Sequence, residues 1–418
     1  MLGRFFQFKP AIYPVWRQRV HPTLHALRNP ILRRFFPLDA DQHPPPDAQA
    51  MARLLVDWGL STVTDLDALA QAIERVAVTI ETVDPTQTPA NYTGDPLRIP
   101  AQWEATARVL LSWGRMYPQV YPMHAQLVEA IAPVAEVDIL VPSAVWARGI
   151  AVYLAQRGRV ALDRLRFLVL RTDDIWIRDY GPIVGIAPDG QRVAVNATYD
   201  VLPHYPQQDD DRMPLRWAAH QGLPVLPLAL STEGGNLWSD GAGTLLMSAQ
   251  VFFSNPYYTR ATLTDYLHTV FDFEQLLITP RLLLEETGHI DLLVKLASPT
   301  LVFVSAATSF STQSALLKNK RLFQRATNAQ GDRYHVVELP TPPLYLNQFT
   351  YTIRRSYTNA LTVNGRVLVP TYGIAEDDIA LRRYQAHLPD YEIIPIDSAQ
   401  GILGGGAVHC MTKEVPQA

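Results

Sequence analysis

The chain has 418 residues, of which 48% are hydrophobic and 18% are charged, and its formal net charge is −4. This length and composition predict a globular protein, either one large domain with an extension or two domains, and the acidic balance disfavours nucleic acid as a partner. A single cysteine, Cys410, excludes an internal disulfide framework, and no apolar run reaches the length of a membrane span or a signal-peptide core, so we expect a cytoplasmic protein without a transmembrane segment.

Residues 1–38 form an arm that is rich in basic and aromatic side chains and contains no acidic residue. Its prolines, among them Pro10 and Pro30, prevent one continuous amphipathic helix. We therefore expect the arm to pack on the body of the protein or on the partner subunit of a homo-oligomer. Binding to an anionic membrane surface is the alternative for a segment of this composition.

A small helical segment followed by a linker is predicted for residues 39–95. Helical patterns cover Asp47–Trp58 and Thr64–Val78, and Asp65 or Asp67 can cap the start of the second one. The stretch Val83–Pro96 is rich in Pro, Thr and Gly, which is typical of a linker. We place the domain boundary at its end.

The remaining residues, 96–418, show the alternation of helices and strands that is typical of an α/β domain. In its first part the patterns predict three helices, Trp103–Trp113, His124–Ala132 and Ser143–Gln156, and two strands, Val137–Val141 and Phe167–Leu170.

Further along the chain, a short polar motif opens a predicted β-hairpin four times. These motifs are Trp176–Pro182, Glu233–Trp238, Gly288–Asp291 and Tyr357–Ala360. A fifth motif, Gly404–Cys410, is a glycine run that ends at the single cysteine. The motifs recur every 51 to 70 residues, a spacing that predicts successive modules arranged around a common centre.

Each polar residue of these motifs has an ordinary structural explanation when it is taken alone. Asp179 could form an ion pair, Glu233 could belong to a turn, His289 could be a structural histidine and Trp176 could be part of the core. Asn359 could bond the backbone of its own hairpin. Their recurrence at the same place in successive modules favours one shared site.

The motif set resembles that of the agmatine deiminase family, which also includes the bacterial peptidylarginine deiminases. The motifs that carry the resemblance are Trp176–Pro182, Glu233–Asn236, Gly288–Asp291 and Gly404–Thr412. The resemblance spans roughly residues 100–418, and residues 1–95 fall outside it. It implies the guanidino-group-modifying fold, an α/β-propeller of five pseudo-symmetric ββαβ modules around a central site, here with a mostly helical N-terminal extension.

The resemblance also implies roles for individual residues. Cys410 corresponds to the nucleophile, His289 to the general acid and base, and Glu233 to the carboxylate that orients the imidazole. Four residues correspond to substrate-binding positions: Asp179, Asp291, Trp176 and Asn359. No metal or organic cofactor is implied.

The implied reaction is hydrolytic deimination of a small guanidino substrate through a covalent thiouronium on the cysteine. We expect the conversion of agmatine to N-carbamoylputrescine and ammonia. Deimination of peptidylarginine or free arginine is the alternative, as is a propeller that binds guanidino ligands without turning them over. A papain-like protease is excluded, because there the cysteine precedes the histidine in the chain, whereas His289 precedes Cys410.

The choice of substrate depends on charges at the mouth of the site. A substrate carboxylate would require a nearby cation, and the sequence offers Arg354, Arg355 and Lys295 as candidates. The acidic run Gln207–Asp211 is expected to be a solvated loop near the mouth.

Overall fold

The computed structural model describes residues 44–114, 117–199, 207–282, 285, 287–307, 313–346 and 352–417. The arm predicted for residues 1–38 lies outside the described residues, and so does its expected role in a homo-oligomer. Among the described residues, no helix combines the length and the apolar character needed to cross a bilayer.

The described chain folds into helices and short strands that alternate along the sequence. The first part contains α1 (Ala48–Asp57), α2 (Leu66–Arg75), β1 (Thr79–Thr82), β2 (Thr106–Ser112), α3 (Tyr121–Ile131), β3 (Glu136–Val141), α4 (Ala144–Arg157) and β4 (Leu165–Val169). The second part contains α5 (Ile177–Tyr180), β5 (Ile183–Ile186), β6 (Arg192–Thr198), α6 (Gln208–His220), β7 (Val225–Ser231), β8 (Trp238–Ser239), β9 (Thr244–Ser248), α7 (Gln250–Ser254), α8 (Arg260–His268) and β10 (Gln275–Thr279). The third part contains β11 (Val294–Leu296), β12 (Leu301–Ser305), α9 (Gln313–Arg325), β13 (His335–Leu339), β14 (Tyr345–Leu346), β15 (Thr352–Ile353), β16 (Leu361–Val363), β17 (Arg366–Thr371), α10 (Ala375–His387), β18 (Glu392–Asp397) and β19 (Lys413–Pro416).

These elements form the predicted five-module α/β-propeller. Four modules contain a three-stranded sheet: β5-β6-β7, β10-β9-β8, β11-β12-β13 and β16-β17-β18. In each of them the first two strands are antiparallel, and the third strand follows at least one helix and pairs parallel to the second. This is the ββαβ order that was expected.

The C-terminal strand closes the ring of modules. The fifth sheet has the order β1-β4-β3-β2-β19, and β19 pairs antiparallel with β2. Cys410 therefore lies directly before the first strand of a module. The other four polar motifs lie at the equivalent place, directly before β5, β8, β11 and β16, so the predicted repetition of the motifs is confirmed.

The helix predicted at Trp103–Trp113 is wrong, because Thr106–Ser112 form the strand β2, which lies between β3 and β19. Val109 and Leu110 are fully buried although they point to opposite faces of the sheet. A strand that is covered on both faces has a continuous apolar run, which periodicity does not distinguish from a buried helix. The other four elements predicted in this part of the chain are confirmed, with boundaries that differ by a few residues.

The N-terminal helices pack on the first module and share its core. Asp47 caps α1 by accepting the N–H of Ala50 at 2.8 Å, and Asp65 caps α2, as one of the two caps predicted for that helix. Met51 of α1 is fully buried in the same cluster as Trp146 of α4. Helix α1 approaches α4 closely at Gly149, where an added Cβ would collide with the Met51 side chain. The domain boundary near residue 95 stays a prediction, and the extension and the first module have one core.

The acidic run Gln207–Asp211 is not a solvated loop, since its last four residues begin helix α6. The Asp210 side chain is fully buried and accepts the backbone N–H of Asp173 at 2.6 Å and that of Asp174 at 3.3 Å. The carboxylate therefore holds the loop that leads into the motif at Trp176.

Candidate active site

Cys410 lies in a buried turn that the glycine run makes possible. Its Sγ accepts a hydrogen bond from Asn359 Nδ2 at 3.2 Å, and the side chain is only 7% exposed. The Trp176 ring packs against the glycine run, because a Cβ at Gly406 would collide with this ring and would lie 2.9 Å from the Cβ of Cys410. Trp176 therefore lies against the turn that carries Cys410, and its contact with substrate stays a prediction.

Two carboxylates lie next to the thiol, and each has an oxygen without a hydrogen-bond partner among the described residues. Asp291 is fully buried, and its Oδ2 accepts from Asn359 Nδ2 at 3.0 Å, while its Oδ1 has no such partner. Asp179 Oδ1 also lacks a hydrogen bond. Asp291 Oδ1 is available to a ligand that carries N–H donors, whereas Asp179 Oδ1 also faces His289 Nδ1 at 3.5 Å.

His289 lies between two carboxylates. Its Nε2 forms a short hydrogen bond with Glu233 Oε2, and its Nδ1 lies 3.5 Å from Asp179 Oδ1. Gly235 leaves room for this arrangement, since a Cβ there would lie 2.5 Å from His289 Nδ1 and 2.9 Å from Asp179 Oδ1. An imidazole with an acidic partner at each nitrogen is held in the doubly protonated, charged form.

The electrostatics of the site follow from burial and from this concentration of acids. Burial opposes the charge of His289, but Asp179 and Glu233 outweigh it and raise its pKa well above the usual value. Burial raises the pKa of Asp291 to about 6, while His289 and Arg178 act in the opposite direction. Burial raises the pKa of the Cys410 thiol well above its usual value, and Asp291 and Asp179 raise it further.

The structure thus brings together all seven residues that the sequence nominated: Cys410, His289, Glu233, Asp179, Asp291, Trp176 and Asn359. They converge from all five modules of the ring. A buried thiol, a charged imidazole and two carboxylates can together bind a planar cation and attack it.

Sequence reasoning missed several buried groups that support these residues. His409 Nδ1 lies 2.7 Å from Asp291 Oδ2. Arg178 donates to both carboxylate oxygens of Glu414, at 3.0 and 2.5 Å, and its backbone N–H donates to the Cys410 carbonyl at 3.1 Å. The signal for His409 and Arg178 was their position beside Cys410 and Asp179, but adjacency in the chain does not show which way a side chain points.

The three cations proposed as partners of a substrate carboxylate have different surroundings in the structure. Lys295 is fully buried and donates to Gln102 Oε1 at 2.8 Å and to the Ala360 carbonyl at 3.0 Å, so it is not at the mouth. Burial lowers the pKa of Lys295 to about 7. Arg355 donates to the Pro343 carbonyl at 3.3 Å. Burial lowers the pKa of Arg354, and the charge of Glu285 acts against this shift.

The acidic and histidine side chains of the site are not arranged as a metal centre. Within the described part of the chain, no group of three or more His, Cys, Asp or Glu side chains could hold a metal ion. The expectation that catalysis requires no cofactor stays a prediction.

Comparison with known proteins identifies the family. The model of the Porphyromonas-type peptidyl-arginine deiminase family matches residues 98–416. The chain belongs to this family. A Shewanella baltica (strain OS223) protein named "Putative agmatine deiminase" is 26% identical over 373 residues, which cover 80% of this chain and 98% of that protein.

Solved structures of agmatine deiminases have the same fold. The enzyme of Enterococcus faecalis superimposes with a TM-score of 0.69 at 20% identity, over 78% of this chain and 99% of that one. A substrate-bound agmatine deiminase of C. jejuni superimposes with a TM-score of 0.68 at 17% identity, over 78% and 98% of the two chains. The predicted agmatine deiminase family, its propeller fold and the class of hydrolase acting on C–N bonds are therefore confirmed.

Proposed function

We propose that this deiminase hydrolyses the guanidino group of agmatine, forming N-carbamoylputrescine and ammonia through a covalent intermediate on Cys410. The observation that carries the proposal is the placement of two carboxylates, Asp179 and Asp291, beside the thiol, with the buried Oδ1 of Asp291 hydrogen-bonded by no described residue. A guanidinium is a planar array of N–H donors with a delocalised positive charge, which carboxylates bind by charge-assisted hydrogen bonds.

Substrate binding also activates the nucleophile. Burial raises the pKa of Cys410, and the negative charges of Asp291 and Asp179 raise it further. A guanidinium bound between these carboxylates would offset their charge and place a cation next to the sulfur. Both effects favour the thiolate, which is the attacking form.

The first half-reaction forms the covalent bond. The thiolate of Cys410 adds to the central guanidinium carbon, and the protonated His289 donates a proton to the nitrogen that departs as ammonia. Asp179 and Glu233 raise the pKa of His289 against the effect of burial, so the imidazole carries this proton at neutral pH. The product of this step is a thiouronium on Cys410 with a neutral imidazole nearby.

The second half-reaction releases the product. The neutral His289 removes a proton from a water molecule, whose oxygen adds to the thiouronium carbon. The C–S bond then breaks, the sulfur leaves as a thiolate, and the substrate carbon keeps the oxygen. The remaining hydroxyl proton is lost to solvent, where the released ammonia takes one up as ammonium, and a neutral urea-type carbonyl results. Over both steps one water is consumed and one ammonia is released.

Two measurements test the proposal. A colorimetric ureide assay offers agmatine, free arginine and arginyl peptides in parallel to the wild type and to Cys410→Ala. Intact-mass analysis of the wild type, acid-quenched during turnover, detects the thiouronium, and any thiol adduct lies on Cys410 because the chain has no other cysteine. Full activity in a folded Cys410→Ala protein would contradict the covalent mechanism.

A second candidate substrate is an arginine with a free or peptide-bound carboxyl group. Glu285 acts electrostatically on both Asp291 and Arg354, which indicates that the Arg354 cation lies within range of the site. Arg354 could therefore partner a substrate carboxylate, and the parallel assay distinguishes the two substrates directly.

A further inference from the structure

The imidazole of His409 is buried between an acid of the site and an aromatic ring, and the mechanism above does not use it. Its Nδ1 lies 2.7 Å from Asp291 Oδ2. Its ring stacks on Trp238, with centroids 5.0 Å apart and planes inclined by 6°. The whole residue is 2% exposed.

The surroundings of His409 determine its protonation state. Burial lowers its pKa well below the usual value, and the cations Arg178 and Lys295 lower it further, so the ring is neutral. A neutral imidazole has one N–H, and the ionised Asp291 can only accept a hydrogen bond. The proton therefore resides on Nδ1, which donates to Asp291, while Nε2 has no hydrogen-bond partner among the described residues.

His409 and Asn359 both donate to the same oxygen of Asp291. Asn359 Nδ2 lies 3.0 Å from Asp291 Oδ2 and His409 Nδ1 lies 2.7 Å from it. The other oxygen, Oδ1, is buried and has no hydrogen-bond partner in the part of the chain that the structure describes. Two donors on one oxygen fix the plane of the carboxylate and direct the second oxygen to the ligand.

We infer that His409 is a positioning residue, which holds the Asp291 carboxylate so that Oδ1 faces the guanidinium of the substrate, and that Trp238 fixes the imidazole ring in turn. The inference rests on the proposed function, because it assigns Asp291 Oδ1 to the guanidinium. His409 acts through Asp291 and does not take part in the proton transfers.

Two variants separate the hydrogen bond from the ring stacking. His409→Asn keeps a donor close to the position of Nδ1 but loses the stacking on Trp238. His409→Phe keeps a stacked ring but has no donor. We expect His409→Phe to raise KM by roughly tenfold or more with a smaller change in kcat, as for loss of a hydrogen bond to a charged group. His409→Asn should recover most of the wild-type KM.

Crystal structures of both variants provide a readout that does not depend on activity. We expect the Asp291 carboxylate to rotate in His409→Phe and to keep its orientation in His409→Asn. If His409→Phe does not fold, His409→Gln replaces it. The amide nitrogen of a glutamine extends beyond the position of Nδ1, so this variant also lacks a donor at that point. An unrotated carboxylate, a normal KM without the donor, or equal impairment of the Asn and Phe variants would overturn the inference.

A wild type that deiminates no guanidino compound would refute the proposed function, and the carboxylate orientation would still decide the role of His409.

Discussion

The side-chain amide of Asn359 donates to Cys410 Sγ at 3.2 Å, and the same nitrogen lies 3.0 Å from Asp291 Oδ2. One amide group thus fixes the distance between the proposed nucleophile and a proposed guanidinium-binding carboxylate. The amide is itself held, because its Oδ1 accepts the backbone N–H of His409 at 3.1 Å. Asn359 thus connects its own module and the preceding one, which carries Asp291, to the thiol.

This relationship predicts that Asn359→Ala lowers kcat/KM by roughly 10- to 100-fold, the range expected for loss of hydrogen bonds to charged groups. Steady-state ureide assays measure the change. Asn328→Ala is the matched control, since Asn328 is also buried but bonds Pro299 and Asp332, which contribute nothing to the site. Equal losses of kcat/KM in the two folded variants would mean that Asn359 has only a structural role.

The contact between His289 and Glu233 predicts that substitution of either residue lowers kcat, and that substitution of His289 lowers it more. His289→Ala should lower kcat by more than about a hundredfold, because the imidazole serves both half-reactions. Glu233→Gln should cost less, since Asp179 still faces the other ring nitrogen at 3.5 Å.

Glu233→Gln should also alter the pH profile. Glu233 is one of the charges that, with Asp179, raise the pKa of His289 against the effect of burial. Its neutralisation lowers that pKa, so the alkaline decline of kcat should begin at a lower pH than in the wild type. If Glu233→Gln is as damaging as Cys410→Ala, Glu233 contacts the substrate directly.

The acid limb of the pH profile depends on both Asp291 and Asp179. Burial raises the pKa of Asp291 to about 6 and that of Asp179 to about 8, while the charge of His289 acts against both shifts. Both carboxylates must be ionised to attract a guanidinium, and each takes up a proton as the pH falls through its pKa. We therefore expect kcat/KM for a guanidino substrate to decline as the pH falls from about 8 through about 6. A profile that stays flat to pH 5 in a protein shown to be folded by circular dichroism would contradict this assignment.

The space beside Gly235 predicts a difference between two glycine substitutions. A Cβ at Gly235 would lie 2.5 Å from His289 Nδ1, whereas a Cβ at Gly404 would lie 3.1 Å from the nearest atom of Trp176. Overpacking at Gly235 should reduce the free energy of unfolding by roughly 1–3 kcal/mol and displace the imidazole. We expect Gly235→Ala to lose activity and melting temperature, and Gly404→Ala to lose little of either. Equal melting temperatures and rates would show that the site yields to the added methyl group.

The ring of modules could be predicted from the sequence because its hairpins carry local signals. The turn at Asn364-Gly365 has positive φ at both residues, 39° and 83°, as a two-residue hairpin turn of this type requires. Such turns join the first two strands of a module. They therefore locate each hairpin in the sequence, and the polar motif directly before the hairpin can then be recognised.

Other features could not be predicted because they depend on contacts between distant parts of the chain. His409 and Asp291 are 118 positions apart, and nothing in either motif indicates that an imidazole and a carboxylate meet. Burial of Lys295 likewise results from packing against Gln102, a residue of the segment before the first module. Strand β2 was missed because both of its faces are covered, which removes the alternation that identifies a strand.

The last prediction concerns the substrate: kcat/KM should be higher for agmatine than for free arginine. The pocket concentrates the acids Asp179, Asp291 and Glu233 around the thiol, and a substrate carboxylate buried near them would be unfavourable without a cation of its own. Lys295 is committed to Gln102 and Ala360, and Arg355 donates to Pro343. Arg354 is therefore the candidate that would admit a carboxylate.

Arg354→Ala decides between the substrates, with Arg355→Ala as its matched control. If agmatine is the substrate, both variants should keep the wild-type preference for agmatine over arginine, because neither cation is needed to bind an amine. A wild type that prefers arginine or arginyl peptides, and that loses this preference in Arg354→Ala but keeps it in Arg355→Ala, would reverse the assignment. The parallel assay with agmatine, free arginine and an arginyl peptide at several salt concentrations also measures how far charge determines the choice, since salt weakens the contribution of exposed charges.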